Sequence, residues 1–200
     1  MRLLTSLVIA TGVAWFAYSH SDRLLPPRTG PLHLPVGARL SEEYHFSPGE
    51  NLERLDRDHL LQAERSVDAA MYAFTDLSFA AILRDLSDRG VTVRLYRDRS
   101  QYEAEELKAR RFGQPSSSRL LIGAANVHIR VKQASEQNVM HLKIVCIDGR
   151  ILRDGSANWS PSGEKSQDNN ARFTSNPREI QRFQQVFEEM WKRSGNLIVQ

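Results

Sequence analysis

Residues 141–160 read H-L-K-I-V-C-I-D-G-R-I-L-R-D-G-S-A-N-W-S. His141 and Lys143 are two apart, which on a β-strand aims both side chains at one face. The apolar run Ile144-Val145-Cys146-Ile147 that follows reads as a buried strand. Gly149 and Arg150 make a turn, and Ile151 and Leu152 begin a second short strand. Gly155 permits a tight backbone approach, and Ser156 and Asn158, again two apart, share a face. An imidazole can act as nucleophile or proton carrier near neutral pH. Lys143 adds a cation, and Ser156 and Asn158 add neutral donors. That set suits a phosphoryl centre, where catalysis is mostly positioning and charge stabilisation.

The spacing H-x-K, four residues, D, six residues, G-S-x-N resembles the HKD signature of the phospholipase D superfamily. His141, Lys143, Asp148, Gly155, Ser156 and Asn158 match it in type and distance. Alone, His141 would read as a satisfied core histidine; the joint pattern reverses that. Y-H-F-S-P (44–48), A-M-Y-A-F-T (70–75) and the F-x-x-x-W end of the last helix resemble the single-motif branch of that superfamily. That branch includes small secreted bacterial endonucleases and the mitochondrial cardiolipin hydrolase/piRNA nuclease group. The resemblance implies a phospholipase D-like α-β-α sandwich: an α/β fold with a mixed, mostly parallel sheet and helices on both faces. There is one H-x-K in these 200 residues and no internal repeat. A shared site in a homodimer is therefore implied, with two signatures meeting across a two-fold axis.

Composition sets outer bounds. With 40% hydrophobic and 26% charged residues the chain is an ordinary globular one. The net charge is +3 and the pI about 9.2, compatible with a polyanionic partner or a membrane surface. Its one cysteine, Cys146, excludes an internal disulfide and a Cys-rich zinc module. Flanked by Val145 and Ile147, it reads as a core thiol.

Residues 1–20 carry one early arginine and then a mostly apolar run. Two readings stand: a cleaved signal peptide with small Ala17 and Ser19 before the cut, or an uncleaved anchor. Trp15, Phe16 and Tyr18 favour the anchor, as an interfacial aromatic belt. Either reading exports the domain, to the periplasm or another extracytoplasmic side. Residues 21–41, with Pro26, Pro27, Pro31 and Pro35, read as a linker. The phosphodiesterase domain is expected over 42–200.

Within it, strands are expected at 44–46, 67–74, 91–96 and 126–131, and helices at 51–65, 77–89, 102–111 and 177–193. Thr75-Asp76 can cap the second helix. A flexible loop is expected over 113–118 and polar loops over 132–139 and 161–170. Ile198 and Val199 close the chain as a last strand or a frayed end.

The resemblance also implies roles. One copy's His141 would attack phosphorus to give a phosphohistidine, and the other copy's histidine would protonate the leaving oxygen and later activate water. Lys143 and Asn158 would bind the non-bridging oxygens, Gly155 would lie against the substrate, Ser156 would support the phosphate or the histidine, and no metal or other cofactor is needed. Asp148 belongs to the catalytic signature, though its place after the strand suits orienting the turn. The branch's histidine-orienting acid falls at Asn169 here, so Asp168 or Asn169 takes that role; Glu164 is the other candidate, though it reads better as a solvated loop carboxylate. Trp159 reads either as a lip residue contacting substrate or as packing.

Three functions follow from this. The first is an exported endonuclease on DNA or RNA, favoured by arginines 94, 97, 99, 110 and 111. The alternative is a phospholipase or cardiolipin hydrolase acting on headgroups, held at the membrane by an uncleaved N-terminal segment. The third is an inactive nucleic-acid- or lipid-binding module.

Overall fold

The computed structural model describes residues 41–133 and 138–200. The proposed leader at 1–20 and the linker as far as residue 40 lie outside the described residues. No described helix is long and apolar enough to cross a membrane.

In chain order the elements are β1 (Glu42–Ser47), α1 (Leu52–Leu60), β2 (Ser66–Met71), α2 (Leu77–Asp88), β3 (Thr92–Arg97), α3 (Arg99–Phe112), α4 (Ser117–Leu121), β4 (Val127–Val131), β5 (Lys143–Ile147), β6 (Ile151–Gly155), α5 (Pro161–Lys165), β7 (Asn169–Thr174), α6 (Pro177–Trp191) and β8 (Leu197–Val199). They build one sheet in the order β1-β7-β6-β5-β2-β3-β4-β8. The sheet is mixed, as expected, but it is not mostly parallel. Only β2–β3 and β3–β4 run parallel; the other five pairings are antiparallel. The parallel pair β2–β3 is joined through α2, while β5 turns into β6 through the short Asp148–Arg150 connection, which can link only antiparallel neighbours.

Alternation along the strands feeds two cores. Val67, Ala69, Met71, Val93, Leu95, Val145 and Ile147 face α2 and the α1 end, meeting Phe79, Leu83 and Leu86. Ala70, Tyr96, Cys146 and Leu152 face α6, meeting Ile180, Phe183, Phe187, Met190 and Trp191. The three-and-four spacing of that last set is what makes 177–191 a helix with one apolar stripe. Each such side chain, fully buried, contributes roughly 1.5–3 kcal/mol. Cys146 is a core thiol, pushed up to about 12 chiefly by burial.

The caps are local chemistry. Asp76 accepts from the Ser78 N–H at 2.8 Å, starting α2, and Asp98 accepts from Ser100 and Gln101, starting α3. The expected flexible loop at 113–118 is partly a correction. Ser116, Ser117 and Ser118 are buried because their hydroxyls meet Glu106, Glu105 and Arg97. The expected polar loop at 161–170 likewise contains α5 and the start of β7.

Candidate active site

The signature assembles at one end of the sheet, where β5 begins and β6 ends. In the register of β5 against β6, Val145 pairs with Arg153; continuing it sets Lys143 beside Gly155. The G-S-x-N segment then crosses to β2: Phe74 bridges Trp159, and the Thr75 and Asp76 N–H groups donate to the Trp159 carbonyl. The Tyr72 N–H donates to Leu142 O at 2.8 Å, so the chain around His141 continues the β2–β5 ladder.

His141 is exposed at this end. Its ring lies 4.4 Å from the Tyr72 ring, centroid to centroid. Lys143 Nζ is 3.3 Å from each imidazole nitrogen, 2.9 Å from the His141 carbonyl and 4.6 Å from the Tyr72 ring centroid. Burial, and then the nearby Arg153 charge, hold the Lys143 amine below its ordinary value. Asn158 Oδ1 accepts from the Ala73 N–H at 3.1 Å, which fixes the amide with its Nδ2 pointing away from that bond.

Gly155 is a steric requirement. It sits at φ +153°, and a Cβ there would lie 2.2 Å from the Asn170 carbonyl oxygen. That close approach lets the Ser156 N–H reach Asn170 O and Oδ1, both at 3.1 Å, while Ser156 Oγ accepts from the Asn170 N–H at 2.9 Å. Ser156, Asp168, Asn169, Asn170, Ser47 and the exposed Phe46 line a cavity of about 420 Å³.

Asp148 lies at the far end of β5 from His141. At φ +54° its carboxylate accepts from the Glu64, Arg65 and Ser66 N–H groups at 2.8–3.0 Å. It holds the loop into β2 and is remote from the imidazole, as five strand residues at about 3.3 Å each require. Trp159 is fully buried, stacked on Phe79 at 4.8 Å, with its indole N–H on Asp56. It is a packing residue, since nothing of it reaches the surface that a substrate contact needs. Asp168 is exposed, and Asn169 donates to the Gly163 carbonyl. Among the described residues, His141 makes its side-chain contacts with Tyr72 and Lys143, and neither Asp168 nor Asn169 touches it. Nor do the described residues contain a cluster of His, Cys, Asp or Glu able to hold a metal ion.

Several residues under the site escaped the sequence reading. Arg153, fully buried, donates to the carbonyls of Lys143 (3.1 Å) and Ala157 (3.0 Å), joining the two halves of the signature from below. Its charge meets Asp56 at 2.9 Å and Glu164 at 3.4 Å. Glu164 is therefore no solvated carboxylate: it is completely buried, and its Oε2 has no hydrogen-bond partner. Two carboxyls facing one guanidinium are raised together, first by burial. The proton belongs on Glu164, pushed up to about 9, because Asp56 takes the closer guanidinium contact and the Trp159 N–H. A signal existed: Asp56 falls between Leu52 and Leu60 at four-residue spacing, a charge on the apolar stripe of α1. Arg153 likewise interrupts an apolar strand. Asp98 also reaches the site, accepting from the Met140 N–H at 2.8 Å, and Gln101 donates to the Tyr72 hydroxyl at 3.1 Å.

The arginines singled out for polyanion contact divide. Arg97 is buried between Ser118 and Glu105, and Arg94 is held by Asp68 and Glu188 beneath α6. Arg99 pairs with Glu103. Arg110 and Arg111 remain on the surface.

A family model described as cardiolipin synthase, PLD-like domain, matches residues 57–191. The chain is 30% identical over 171 residues to a mitochondrial cardiolipin hydrolase of Chlamydomonas reinhardtii, covering 85% of this chain and 70% of that one. It is 29% identical over 140 residues to the mitochondrial cardiolipin hydrolase of Danio rerio, covering 68% of this chain and 56% of that one. The fold matches the crystal structure of Nuc, a phospholipase D family member from Salmonella typhimurium, with a TM-score of 0.68 at 19% identity, over 80% of this chain and 99% of that one.

Proposed function

On the premise that the chain belongs to the phospholipase D superfamily, we propose that it hydrolyses phosphodiesters through a phosphohistidine on His141. A ring nitrogen of His141 attacks phosphorus and the P–O bond to the leaving group breaks. A histidine from a second copy protonates that oxygen, then takes a proton from the water that cleaves the P–N bond. Lys143 and the Nδ2 of Asn158 bind the non-bridging oxygens, Ser156 lies along the phosphate, and the cations are side chains throughout. The observation that carries this reading is the ammonium of Lys143 set 3.3 Å from both imidazole nitrogens on an exposed face. These 200 residues hold one signature, so in this reading the second histidine comes from a second copy and the active species is a homodimer.

The substrate reading favoured here is an anionic phospholipid headgroup. The relatives at about 30% identity carry the name cardiolipin hydrolase. Half-exposed Val139 and Leu142 flank His141, giving the mouth an apolar rim. Two of the five arginines that argued for nucleic acid, Arg94 and Arg97, are taken up by acids inside the fold, which weakens that case. The apolar residues 1–20 would hold the domain at an extracytoplasmic membrane face. A second reading, an exported endonuclease, keeps the support of the +3 net charge and the surface cations Lys108, Arg110 and Arg111.

The purified full chain is offered cardiolipin vesicles, supercoiled DNA and RNA in parallel, with and without EDTA. Headgroup cleavage that survives EDTA and vanishes in His141→Ala is expected, together with a radiolabelled, acid-labile phosphoenzyme from substrate labelled at phosphorus. Cleavage of DNA or RNA alone selects the second reading. No turnover on any substrate overturns the hydrolase, and turnover by a strictly monomeric species in sedimentation overturns the shared site.

A further inference from the structure

Leu107 and Phe112 are the two most exposed of the large apolar side chains among the described residues, at 69% and 61%. Both lie in the last half of α3, where the sequence runs L-K-A-R-R-F. Lys108, Arg110 and Arg111 stand between them in the sequence, exposed and without an ion pair to a described residue, although Arg110 acts on the Glu106 carboxylate through its charge; Arg111 lies over the Phe112 ring at 5.6 Å. This differs from the first half of the helix, where Arg99 is paired with Glu103. The patch continues beside the helix. Arg110 and Ile122 line a groove of about 480 Å³ with the exposed Leu197 and Ile198 and with the Glu106–Arg119 ion pair.

Exposed aliphatic and aromatic groups set beside exposed cations that form no ion pair fit one kind of surface better than others. A helix lying in the headgroup layer of a bilayer buries its apolar side chains at the acyl boundary and leaves its cations against anionic lipid phosphates. A nucleic-acid backbone would engage the cations and leave Leu107 uncovered. We propose that the C-terminal half of α3 docks this protein on an anionic phospholipid surface. The same helix reaches the site. Its cap Asp98 holds the Met140 backbone next to His141, and its Gln101 holds Tyr72. Fourteen residues at about 1.5 Å each make a rigid rod of about 20 Å from site to patch. Docking along α3 therefore brings the His141 end down toward the headgroups. The inference rests on the phospholipid reading only in preferring lipid to another polyanion.

The test reads position and requires no turnover, so it can fail while lipid hydrolysis stands, and the reverse. A nitroxide is attached to Leu107→Cys, or to Glu189→Cys on α6 as the control, in the full chain reconstituted into vesicles. The buried Cys146 stays unlabelled. In phosphatidylglycerol or cardiolipin vesicles the label at 107 is expected to gain oxygen accessibility and lose accessibility to a water-soluble nickel reagent. The label at 189 should show no such change. The shift should vanish in phosphatidylcholine vesicles and in the triple variant Lys108→Glu/Arg110→Glu/Arg111→Glu, and weaken in high salt. Each single charge reversal should weaken vesicle affinity at least roughly fivefold. A label at 107 that stays water-accessible on anionic vesicles overturns the proposal. So does one buried without lipid in step with self-association, which assigns the face to a second copy, or one protected by DNA in place of lipid.

Discussion

The guanidinium of Arg153 donates to the main-chain carbonyl of Lys143 at 3.1 Å from beneath the sheet end, and with the same nitrogen to the Ala157 carbonyl. Main chain from both halves of the signature is thus gathered on one buried cation. Arg153→Leu leaves Asp56 buried without its counter-charge and should cost about 3–5 kcal/mol in urea unfolding. The double variant Asp56→Asn/Arg153→Leu, which keeps an acceptor for the Trp159 indole, should recover much of that stability. It should not recover kcat, because the two carbonyls are still untied. The alkaline limb of its rate profile should also move up, since Arg153 helps hold the Lys143 amine low. Full kcat with an unmoved alkaline limb would leave Arg153 a merely structural group.

Glu164 makes stability depend on pH in an unusual direction. Its carboxyl is raised to about 9 by burial foremost, with Asp56 adding to the effect. In the unfolded chain it ionises near the ordinary glutamate value, around 4.3. Between those two values the folded state holds a proton that the unfolded state has released, so stability falls as pH rises. The slope is up to about 1.4 kcal/mol per pH unit for one proton. Glu164→Gln removes the titration, and its unfolding free energy between pH 5 and 9 should be flatter than that of the wild-type protein. Equal slopes would mean that the proton lies elsewhere in the cluster.

Asp98 titrates the opposite way. Burial raises its carboxyl, but the bonds from Ser100, Met140 and Gln101 outweigh burial and hold it below the ordinary aspartate value. That stabilisation is fully present above about pH 4 and is lost as pH falls through the folded-state value. Asp98→Ala removes the α3 cap, worth about 1 kcal/mol, and frees the Met140 N–H beside His141. Circular dichroism should record a modest loss of stability and a weaker acid transition. Turnover should fall further than stability alone explains, because the imidazole loses its backbone anchor.

Gly155→Ala tests the close passage of β6 against β7. The added Cβ meets the Asn170 carbonyl at 2.2 Å, and backbone cannot yield as a side-chain tip can. A loss of roughly 3 kcal/mol is expected. Because the Ser156–Asn170 exchange begins at the next residue, activity should fall even where the variant remains folded.

Much of this was legible in order along the chain. Periodicity gave α2 and α6 nearly to their ends, and the motif spacing brought His141, Lys143, Gly155, Ser156 and Asn158 to one end of the sheet. What escaped had non-local causes. The strand Asn169–Thr174 opens with two asparagines and carries Arg172; it is a strand because β1 and β6 flank it. Glu164 reads as solvated because its neighbours in sequence are polar, whereas its surroundings are Arg153 and Asp56, eleven and 108 residues away. The arginines at 94 and 97 read as surface charge for the same reason: their acids lie on other elements.

Asp148 is where signature and geometry part, and a variant separates them. Its carboxylate satisfies three backbone N–H groups of the loop entering β2 and lies at the opposite end of β5 from the imidazole. Asp148→Ala strands those donors, with a cost of about 1–3 kcal/mol for each one that water does not reach. The left-handed backbone at this position, φ +54°, adds to that cost, since alanine tolerates it less well than aspartate. Asp148→Asn keeps an acceptor and tolerates the same backbone, so it should restore part of the stability. Measured per folded molecule at low temperature, both variants should keep kcat within about threefold of wild type. That bound corresponds to well under the 1.4 kcal/mol that a tenfold effect represents, too little for a group acting on the reacting phosphate. A hundredfold fall in kcat in fully folded Asp148→Asn would instead make the carboxylate part of the chemistry, and the separation along β5 would then have to close during turnover.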